Sequence, residues 1–312
     1  MQNVVTITIN PAIDVSTTVD SLEPAAKMRC GPARRDAGGG GVNVARVVKR
    51  LGGAPLAIFP AGGASGKLLV QLLEAEAVPV LPVPIAGETR ENFTVFEQST
   101  GREYRFVLEG PELSWAESSA CLESVIEPGD GPAIIVASGS LPPGAPPDFH
   151  ARLANNVKMA GDRMVLDASG PALRAAFREG VYLIKPNLRE LEDLVGRRLG
   201  TDGERLSAAR EIIDQGGAEL VALTLGEEGA LLVAADRAWR ADALPIRPVS
   251  SVGAGDSFLG GMVRALAEGR SLEDAFRLAM AAGAAALLSP GTGLCDAAQV
   301  ERLLPTVEIR PL

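Results

Sequence analysis

Histidine is almost absent from this chain. Among 312 residues only His150 is a histidine, and it lies in PPDFHARL, at the start of a predicted surface helix. Catalysis by a serine or cysteine that a histidine activates is therefore disfavoured. An enzyme of this composition would depend on carboxylates, lysines or backbone groups.

Cysteine is scarce as well. Cys30, Cys121 and Cys295 are odd in number and far apart, which argues against a disulfide framework or a structural zinc site and favours a reducing cytoplasm. The N-terminus, MQNVVTITINPAID, lacks the basic region and apolar core of a signal peptide. The longest apolar run, residues 278–288, is about half of a membrane span. We expect a buried helix there and a cytoplasmic protein.

An excess of positive charge is also missing. The formal net charge is −9, with 30 basic and 39 acidic residues, so nothing in the composition suggests the basic face that nucleic acids or anionic membranes require. A local cluster must therefore hold any anionic ligand. The hydrophobic content of 46% in a chain of this length allows a large core.

Short apolar runs alternate with helical patterns through most of the chain. VVTITI, PLAIFPA, PAIIVAS, RMVLDAS, VYLIKP and ELVALTL are typical of strands, and amphipathic segments such as VNVARVVKRLG separate them. This alternation predicts a mostly parallel, doubly wound sheet covered on both faces. Two regions differ: residues 12–36 are polar without a helical period, and RENFTVFEQ and REYRFVLEG predict a hairpin within residues 88–109. Together they predict a small sheet beside the carboxyl edge of the main sheet, where it would serve as a lid.

Two common nucleotide-binding motifs are missing. AGGASGKL, residues 61–68, has alanine in place of the first P-loop glycine and leucine in place of its serine or threonine. No GxGxxG follows a strand and opens a helix with a suitably placed acid, so a dinucleotide site is unsupported. A nucleotide, if one is bound, is bound in another way.

Several polar residues begin or precede predicted helices. GGGGVNVAR, residues 38–46, favours close approach to a ligand or a positive φ, with a flexible loop as the alternative, and Asn43 is either a donor to a hydroxyl or a cap. Asp14, after the first strand, is either a ligand at the carboxyl edge of the sheet or a turn residue. Asp256, in SVGAGDS, taken alone is a first-turn acid that the helix dipole stabilises.

Charged residues in the irregular segments allow similar alternatives. Lys27, Arg29 and Arg90 are either solvated or a converging trio that would suit a phosphate monoester. KPNLRE places Asn187 and Glu190 three residues apart at a strand-to-helix turn, which is the spacing of a capping box. The functional alternative is that Glu190 orients the water shell of a magnesium ion.

The order of the motifs along the chain is more specific than any one of them. NPAID, GGGGVN, SGSLPPG, KPNLRE, TLGEEGA and SVGAGDS, spread over nearly the whole chain, resemble the ribokinase-like carbohydrate kinases of the PfkB family. The resemblance implies a single ribokinase-like domain over residues 1–312, an α/β fold. This fold is a three-layer α/β/α sandwich with a mostly parallel central sheet and a small β-sheet lid formed by insertions at about 12–36 and 88–109. It also implies a homodimer whose interface is formed by the lid sheets of the two chains.

The same resemblance assigns roles to individual residues. Asp256 is implied as the catalytic base, and the backbone N–H groups of Gly253, Ala254 and Gly255 as the anion hole for the transferred phosphoryl group. Phosphoryl transfer depends mainly on positioning and electrostatics, which a helix N-terminus supplies. The sugar is assigned to Asp14, Lys27, Arg29, Gly39, Gly40, Asn43, Arg90 and Ser138. ATP is assigned to Lys185, Asn187, Thr224, Gly226 and Gly229, Mg²⁺ through water to Glu190, and a potassium ion to Ser250, Val252, Ala286, Ser289 and Gly291.

The acceptor sugar follows from the same comparison. Lys27, Arg29 and Arg90 match the 6-phosphate-binding positions of the minor bacterial group that phosphorylates fructose 6-phosphate. GGGG also lacks the lysine of the GGKG forms, which is typical of tagatose-6-phosphate kinases and 1-phosphofructokinases. The resemblance thus implies ATP-dependent phosphorylation of fructose 6-phosphate at C1 to fructose 1,6-bisphosphate, a step of glycolysis. The alternatives are those two sugar kinases and a catalytically silent sugar-phosphate sensor. A sensor would be indicated by the loss of Asp256 or of an anion-hole glycine, and neither is lost.

Overall fold

The computed structural model describes residues 2–125, 131–291 and 293–312. In chain order its strands are β1 (Asn3–Ile7), β2 (Ala12–Val19), β3 (Arg34–Gly38), β4 (Pro55–Ala61), β5 (Val80–Pro84), β6 (Arg90–Glu97), β7 (Arg102–Phe106), β8 (Ala133–Ser138), β9 (Arg163–Asp167), β10 (Val181–Ile184), β11 (Ala218–Thr224), β12 (Ala230–Val233), β13 (Ala238–Ala241) and β14 (Ile309–Pro311). Its α-helices are α1 (Gly40–Arg50), α2 (Gly63–Ala75), α3 (Trp115–Glu123), α4 (Phe149–Met159), α5 (Gly170–Phe177), α6 (Leu188–Val195), α7 (Asp202–Asp214), α8 (Ala254–Ala267), α9 (Leu272–Leu287) and α10 (Ala297–Leu303).

The large sheet has ten strands in the order β14-β13-β12-β11-β10-β9-β8-β1-β4-β5. From β5 to β11 all neighbours are parallel, whereas β11 to β14 pair antiparallel. The predicted mostly parallel sheet is therefore confirmed. Because parallel strands end at one edge, the segments after β1, β8, β9 and β10 are brought together there.

Successive residues of the central strands point to opposite faces of this sheet. Val4, Ile134 and Leu183 pack with α1, α8 and α9, whereas the residues that follow them, Val5, Ile135 and Ile184, belong to the core that includes α4 and α7. Side chains alternate between the two faces of a strand, so both faces are covered by helices. The predicted three-layer α/β/α arrangement is confirmed.

Close helix packing depends on two glycines in α8. A side chain at Gly260 would overlap Val47 of α1, and a Cβ at Gly261 would lie 2.8 Å from the carbonyl oxygen of Leu278 in α9. Helices approach this closely only where side chains are absent. The two glycines therefore allow α8 to pack closely on both α1 and α9.

A second sheet of four strands has the order β3-β2-β6-β7. β2 pairs antiparallel with β3 and parallel with β6, and β6 forms the predicted hairpin with β7. Both irregular regions of the sequence therefore contribute to the small sheet. Its action as a lid stays a prediction.

The structure changes one expectation and bears out another. α4 begins at Phe149, but His150 is only 2% exposed, so the expectation of a surface histidine was wrong. The first turn of α4 packs inward, with the His150 ring edge-on to Phe149, and burial lowers the pKa of His150 to about 4. Residues 278–287 lie in α9, which is largely buried. Within the described ranges, no helix combines the length and apolarity that a bilayer crossing requires.

Candidate active site

A cavity of about 360 Å³ opens where the carboxyl edge of the large sheet meets the small sheet. The starts of α1 and α8 border it, as do the segments after β8 and β9. Its lining includes Asp14, Gly39, Gly40, Asn43, Arg90, Asn92, Arg105, Ser138, Ser140, Asp167, Glu190, Val252, Gly253 and Asp256. Eight residues assigned to sugar or catalysis by resemblance, Gly253 among them, thus line one cavity.

Asp256 lies in the first turn of α8, which begins after Gly253 in the left-handed conformation, with φ +75°. Its Oδ2 accepts a hydrogen bond of 2.8 Å from Nδ2 of Asn43 in the first turn of α1. Burial and the charge of Asp167 raise the pKa of Asp256 to about 6, although Asn43 and Lys185 favour its ionised form. A carboxylate with such a pKa can accept a proton near neutral pH.

The N–H groups of the first helical turn lack intrahelical acceptors, and at α8 they belong to Ala254, Gly255 and Asp256. Lys185 brings a positive charge to the same place, since a Cβ at Gly255 would lie 3.5 Å from its Nζ. Such a helix start attracts anionic groups. The geometry suits a negatively charged phosphoryl group beside Asp256.

Lys185 is buried at the end of β10 and forms an ion pair of 3.1 Å with Oδ1 of Asp167. Burial alone would lower the pKa of Lys185, but the nearby carboxylates, Asp167 foremost and then Asp256 and Glu190, together outweigh it and the pKa is raised. Oδ2 of Asp167 also accepts a hydrogen bond of 3.2 Å from Ser138 Oγ. Asp167 therefore links the predicted sugar residue Ser138 to the predicted nucleotide residue Lys185.

Asp14 lies on β2 and is 9% exposed. Its Oδ1 accepts a hydrogen bond of 2.9 Å from Nδ2 of Asn92 on β6. Burial raises the pKa of Asp14, while Asn92 and the charges of Arg105, Arg90 and Arg46 partly offset this effect. The arginines thus stand close enough to Asp14 to influence an anion bound there.

The glycine run allows close approach of α1 to the cavity wall. Gly39 has φ +108°, a conformation that side chains disfavour, and a Cβ at Gly40 would overlap Ser138 Oγ. The interpretation of the run as a close-approach segment is thus supported over a flexible loop, because Gly40 is the first residue of α1.

The predicted trio of basic residues does not converge within the chain. Arg90 lies at the cavity, where NH1 donates to the carbonyl oxygen of Leu108 at 2.6 Å and NH2 to that of Asn10 at 2.9 Å. Lys27 and Arg29 are exposed in the segment between β2 and β3 and do not border the cavity. Their role in binding the sugar stays a prediction. Arg105, on β7, borders the cavity instead.

The predicted nucleotide residues follow adjacent strands. Asn187 caps α6, and Thr224 pairs with it in a parallel bridge. Gly226 begins a short 3₁₀ turn that ends at Gly229, with φ values of +60° and +104°. A side chain at Gly229 would overlap the carbonyl oxygen of Ala241, so the turn packs tightly on β13. These segments form a surface next to Lys185, as an extended ligand would require.

The predicted capping box at Asn187 is confirmed. Asn187 Oδ1 accepts from the Glu190 N–H, and Glu190 Oε2 accepts from the Asn187 N–H, each at 2.9 Å. Glu190 also borders the cavity, and burial raises its pKa. The capping role and the predicted magnesium role are compatible, because a carboxylate has two oxygens and Mg²⁺ keeps part of its water shell.

The five predicted potassium residues lie in two neighbouring segments. The Val249 N–H donates to the Leu287 carbonyl oxygen at 2.7 Å, and Ser250 Oγ donates to that of Gly291 at 3.1 Å. Ser250 Oγ also bonds the Val252 N–H, while the Ser289 N–H donates to the carbonyl oxygen of Ala286. Hydroxyl and carbonyl oxygens are ligands for hard cations, so this donor set fits a potassium ion.

The sequence interpretation missed Asp167, Arg105 and Asn92. Asp167 ends the predicted strand RMVLDAS, and an acid at the carboxyl end of a parallel strand was an available signal. Arg105 and Asn92 lie inside the predicted hairpin, where alternation alone does not say which face meets the cavity.

Comparison with known proteins gives consistent results. The family model described as pfkB family carbohydrate kinase matches residues 1–299. The ATP-dependent 6-phosphofructokinase isozyme 2 of Mycobacterium tuberculosis is 47% identical over 299 residues, covering 96% of this chain and 88% of that protein. The protein of the same name from Escherichia coli is 42% identical, covering 95% and 96%. The 1-phosphofructokinase of Bacillus subtilis is 32% identical, covering 98% and 99%.

Solved structures of phosphofructokinase-2 from Escherichia coli are also similar. The crystal structure in complex with potassium has a TM-score of 0.94 at 41% identity, and that in complex with fructose-6-phosphate has 0.93 at 40%. A tetrameric inhibited form has a TM-score of 0.93 at 40% identity. Each comparison covers 98% of this chain and 99% of the other.

Proposed function

Because the chain belongs to the pfkB family of carbohydrate kinases, we propose that it transfers the γ-phosphoryl group of ATP to C1 of fructose 6-phosphate. One observation carries the proposal: Asp256, at the positive end of α8, borders the same cavity as Asp14, Arg90 and Arg105. A proton acceptor, a site for an anion and a site for a phosphosugar are thereby in reach of one another.

In the proposed reaction the oxygen of the C1 hydroxyl forms a bond to the γ-phosphorus of ATP. Asp256 accepts the proton that this hydroxyl loses. The bond from phosphorus to the bridging oxygen breaks, and ADP leaves with that oxygen. The N–H groups of Gly253, Ala254 and Gly255, together with Lys185, stabilise the negative charge of the transferred group. Asn43 holds the carboxylate of Asp256 in place through the 2.8 Å hydrogen bond.

For the sugar, we propose that Asp14, Gly39, Gly40 and Ser138 bind hydroxyl groups. Arg90 and Arg105 would bind the 6-phosphate, since both lie near Asp14 at the small-sheet side of the cavity. Lys27 and Arg29 stay part of this proposal. From their exposed segment they would reach the phosphate only after movement of that segment or from a second copy of the chain.

Three bound groups complete the proposal. ATP would lie along Lys185, Asn187, Thr224, Gly226 and Gly229. Mg²⁺ would be bound by the phosphates of ATP and, through water, by Glu190. It would neutralise part of the negative charge on those phosphates. A potassium ion would bind at Ser250, Val252, Ala286, Ser289 and Gly291, and the relative from Escherichia coli has been solved in complex with potassium.

We also propose a homodimer formed through the small sheets, each acting as a lid of the single kinase domain. Phe93 and Phe106 are paired across β6 and β7, yet they are 42% and 53% exposed, and Val107 and Leu108 beside them are also exposed. Contiguous exposed apolar side chains are typical of an interface. A second small sheet would cover them and the edge strands.

The substrate is tested by measuring kcat/KM with ATP and magnesium for fructose 6-phosphate, tagatose 6-phosphate, fructose 1-phosphate and fructose, with and without potassium. We expect a preference for fructose 6-phosphate and little turnover of unphosphorylated fructose. A preference for fructose 1-phosphate would instead place this chain with the similar 1-phosphofructokinases. No turnover of any sugar would contradict the proposed activity and favour a sensor.

A further inference from the structure

The guanidinium group of Arg46 is buried behind the active site. Arg46 lies in α1, three residues after Asn43, and is 1% exposed. Residues three apart in a helix lie on the same face, so the two side chains are neighbours. A fully buried arginine must be paired and hydrogen-bonded, because burial of an unpaired charge is very unfavourable.

Arg46 meets that requirement with several partners. Nε donates to Glu76 Oε1 at 2.8 Å, and NH2 lies 2.6 Å from the same oxygen. NH1 donates to the Ala37 carbonyl oxygen at 2.6 Å and to Oδ1 of Asn43 at 3.3 Å. Asp36 is within 3.9 Å. These contacts leave the planar guanidinium group one orientation.

This orientation determines which way the Asn43 amide points. Arginine has only donors, so the amide oxygen of Asn43 must face Arg46 and its NH₂ group must face Asp256. The reversed amide would place NH₂ against the guanidinium group and oxygen against the carboxylate, with both contacts unfavourable. The 2.8 Å hydrogen bond to Asp256 therefore depends on the placement of Arg46.

We propose that Arg46, held by Glu76, is a positioning residue that fixes the Asn43 amide and, through it, the carboxylate of Asp256. Arg46 itself touches neither substrate nor the reacting atoms. The inference rests on the proposed role of Asp256 as the base. It extends that role by assigning a function to the ion pair between Arg46 of α1 and Glu76, the residue that follows α2.

A pH profile separates this role from a merely structural one. Asp256 is surrounded by Asp167, Lys185 and Asp14, and Arg46 by Asp36, Glu76 and Arg50. Among these influences, the Asn43 hydrogen bond lowers the pKa of Asp256. An Asn43 amide that turns freely would stabilise the carboxylate less, so the acidic limb of kcat/KM would move to higher pH.

Arg50 supplies a matched control. Its NH2 donates to the other Glu76 oxygen at 3.1 Å and its NH1 to the Cys295 carbonyl oxygen at 3.5 Å, whereas the contact with Asn43 Oδ1 is made by Arg46. Arg46→Met and Arg50→Met therefore each remove one arginine from Glu76. We expect Arg46→Met to lower kcat by on the order of tenfold to a hundredfold, as a small misplacement of reacting groups does. The acidic limb of its kcat/KM profile should move to higher pH, whereas Arg50→Met should leave both kcat and this limb unchanged.

Glu76→Gln makes the test independent of whether Arg46→Met folds. It retains Arg46 but removes the negative charge that holds it, so we expect a smaller decrease in kcat and a smaller shift of the acidic limb to higher pH. Thermal unfolding of the variant checks that the fold is kept. Equal kcat values and the same acidic limb of kcat/KM for Arg46→Met and Arg50→Met would overturn the inference. If Arg46→Met is insoluble, a wild-type pH profile of kcat/KM for Glu76→Gln would overturn it instead. Absence of turnover in the wild-type protein would instead overturn the proposed function itself.

Discussion

Replacement of Asp256 with asparagine is expected to stabilise the folded protein. The pKa of Asp256 is about 6 in the folded protein, raised from 3.8 by burial and the charge of Asp167. The unfolded chain loses this proton at lower pH, so the stability of the folded state falls as the pH rises from about 4 to about 6 and stays lower above that. About two pKa units, at about 1.4 kcal/mol each, correspond to about 3 kcal/mol. Asparagine does not titrate and avoids this loss.

Urea unfolding at two pH values measures the effect. Asp256→Asn should increase the free energy of unfolding by up to about 3 kcal/mol at pH 8 and by about half as much at pH 5. The hydrogen bond from Asn43 can be kept, because the new amide oxygen can accept it. The exposed Asp214, changed to asparagine, controls for the loss of one negative charge. A variant less stable than the wild type at pH 8, or a gain equal at both pH values, would refute the reasoning.

Three further predictions follow from the site and its small sheet. The wild-type kcat/KM should fall about tenfold per pH unit below about pH 6, because Asp256 must be ionised to accept a proton, and a flat profile to pH 5 would contradict this. Arg105→Met should raise KM for fructose 6-phosphate by on the order of tenfold to a hundredfold without changing KM for ATP, whereas Arg102→Met on the same strand should change neither. Phe106→Asp should convert a dimer into single chains in size-exclusion chromatography with light scattering; a wild-type protein that is already monomeric would exclude the proposed interface.

Much of the fold could be predicted because the central strands are strongly periodic. PLAIFPA coincides with β4, RMVLDAS contains β9, and ELVALTL contains all of β11 except its first residue. The antiparallel edge was harder to predict, since β12 and β13 have only four residues each and follow each other closely. Short apolar runs of that kind do not distinguish a strand from a buried loop or turn.

The site could be predicted where its residues stand at the ends of strands or the starts of helices. Asn43 and Asp256 both occupy first helical turns, and their hydrogen bond joins residues 213 positions apart. Arg46 and Asp167 act through side chains that only the packing of α1, α2, β9 and β10 brings together. The irregular segment that carries Lys27 has no period, so its direction could not be predicted from the sequence.

The most direct test of the proposed mechanism is the turnover of Asp256→Asn with fructose 6-phosphate and ATP, measured as formation of fructose 1,6-bisphosphate. Loss of the base should lower kcat by on the order of 10²–10⁴-fold, while the affinity for fructose 6-phosphate, measured calorimetrically, stays within a few-fold of the wild type. A kcat within about tenfold of the wild type would contradict the assignment of Asp256 as the base that accepts the proton.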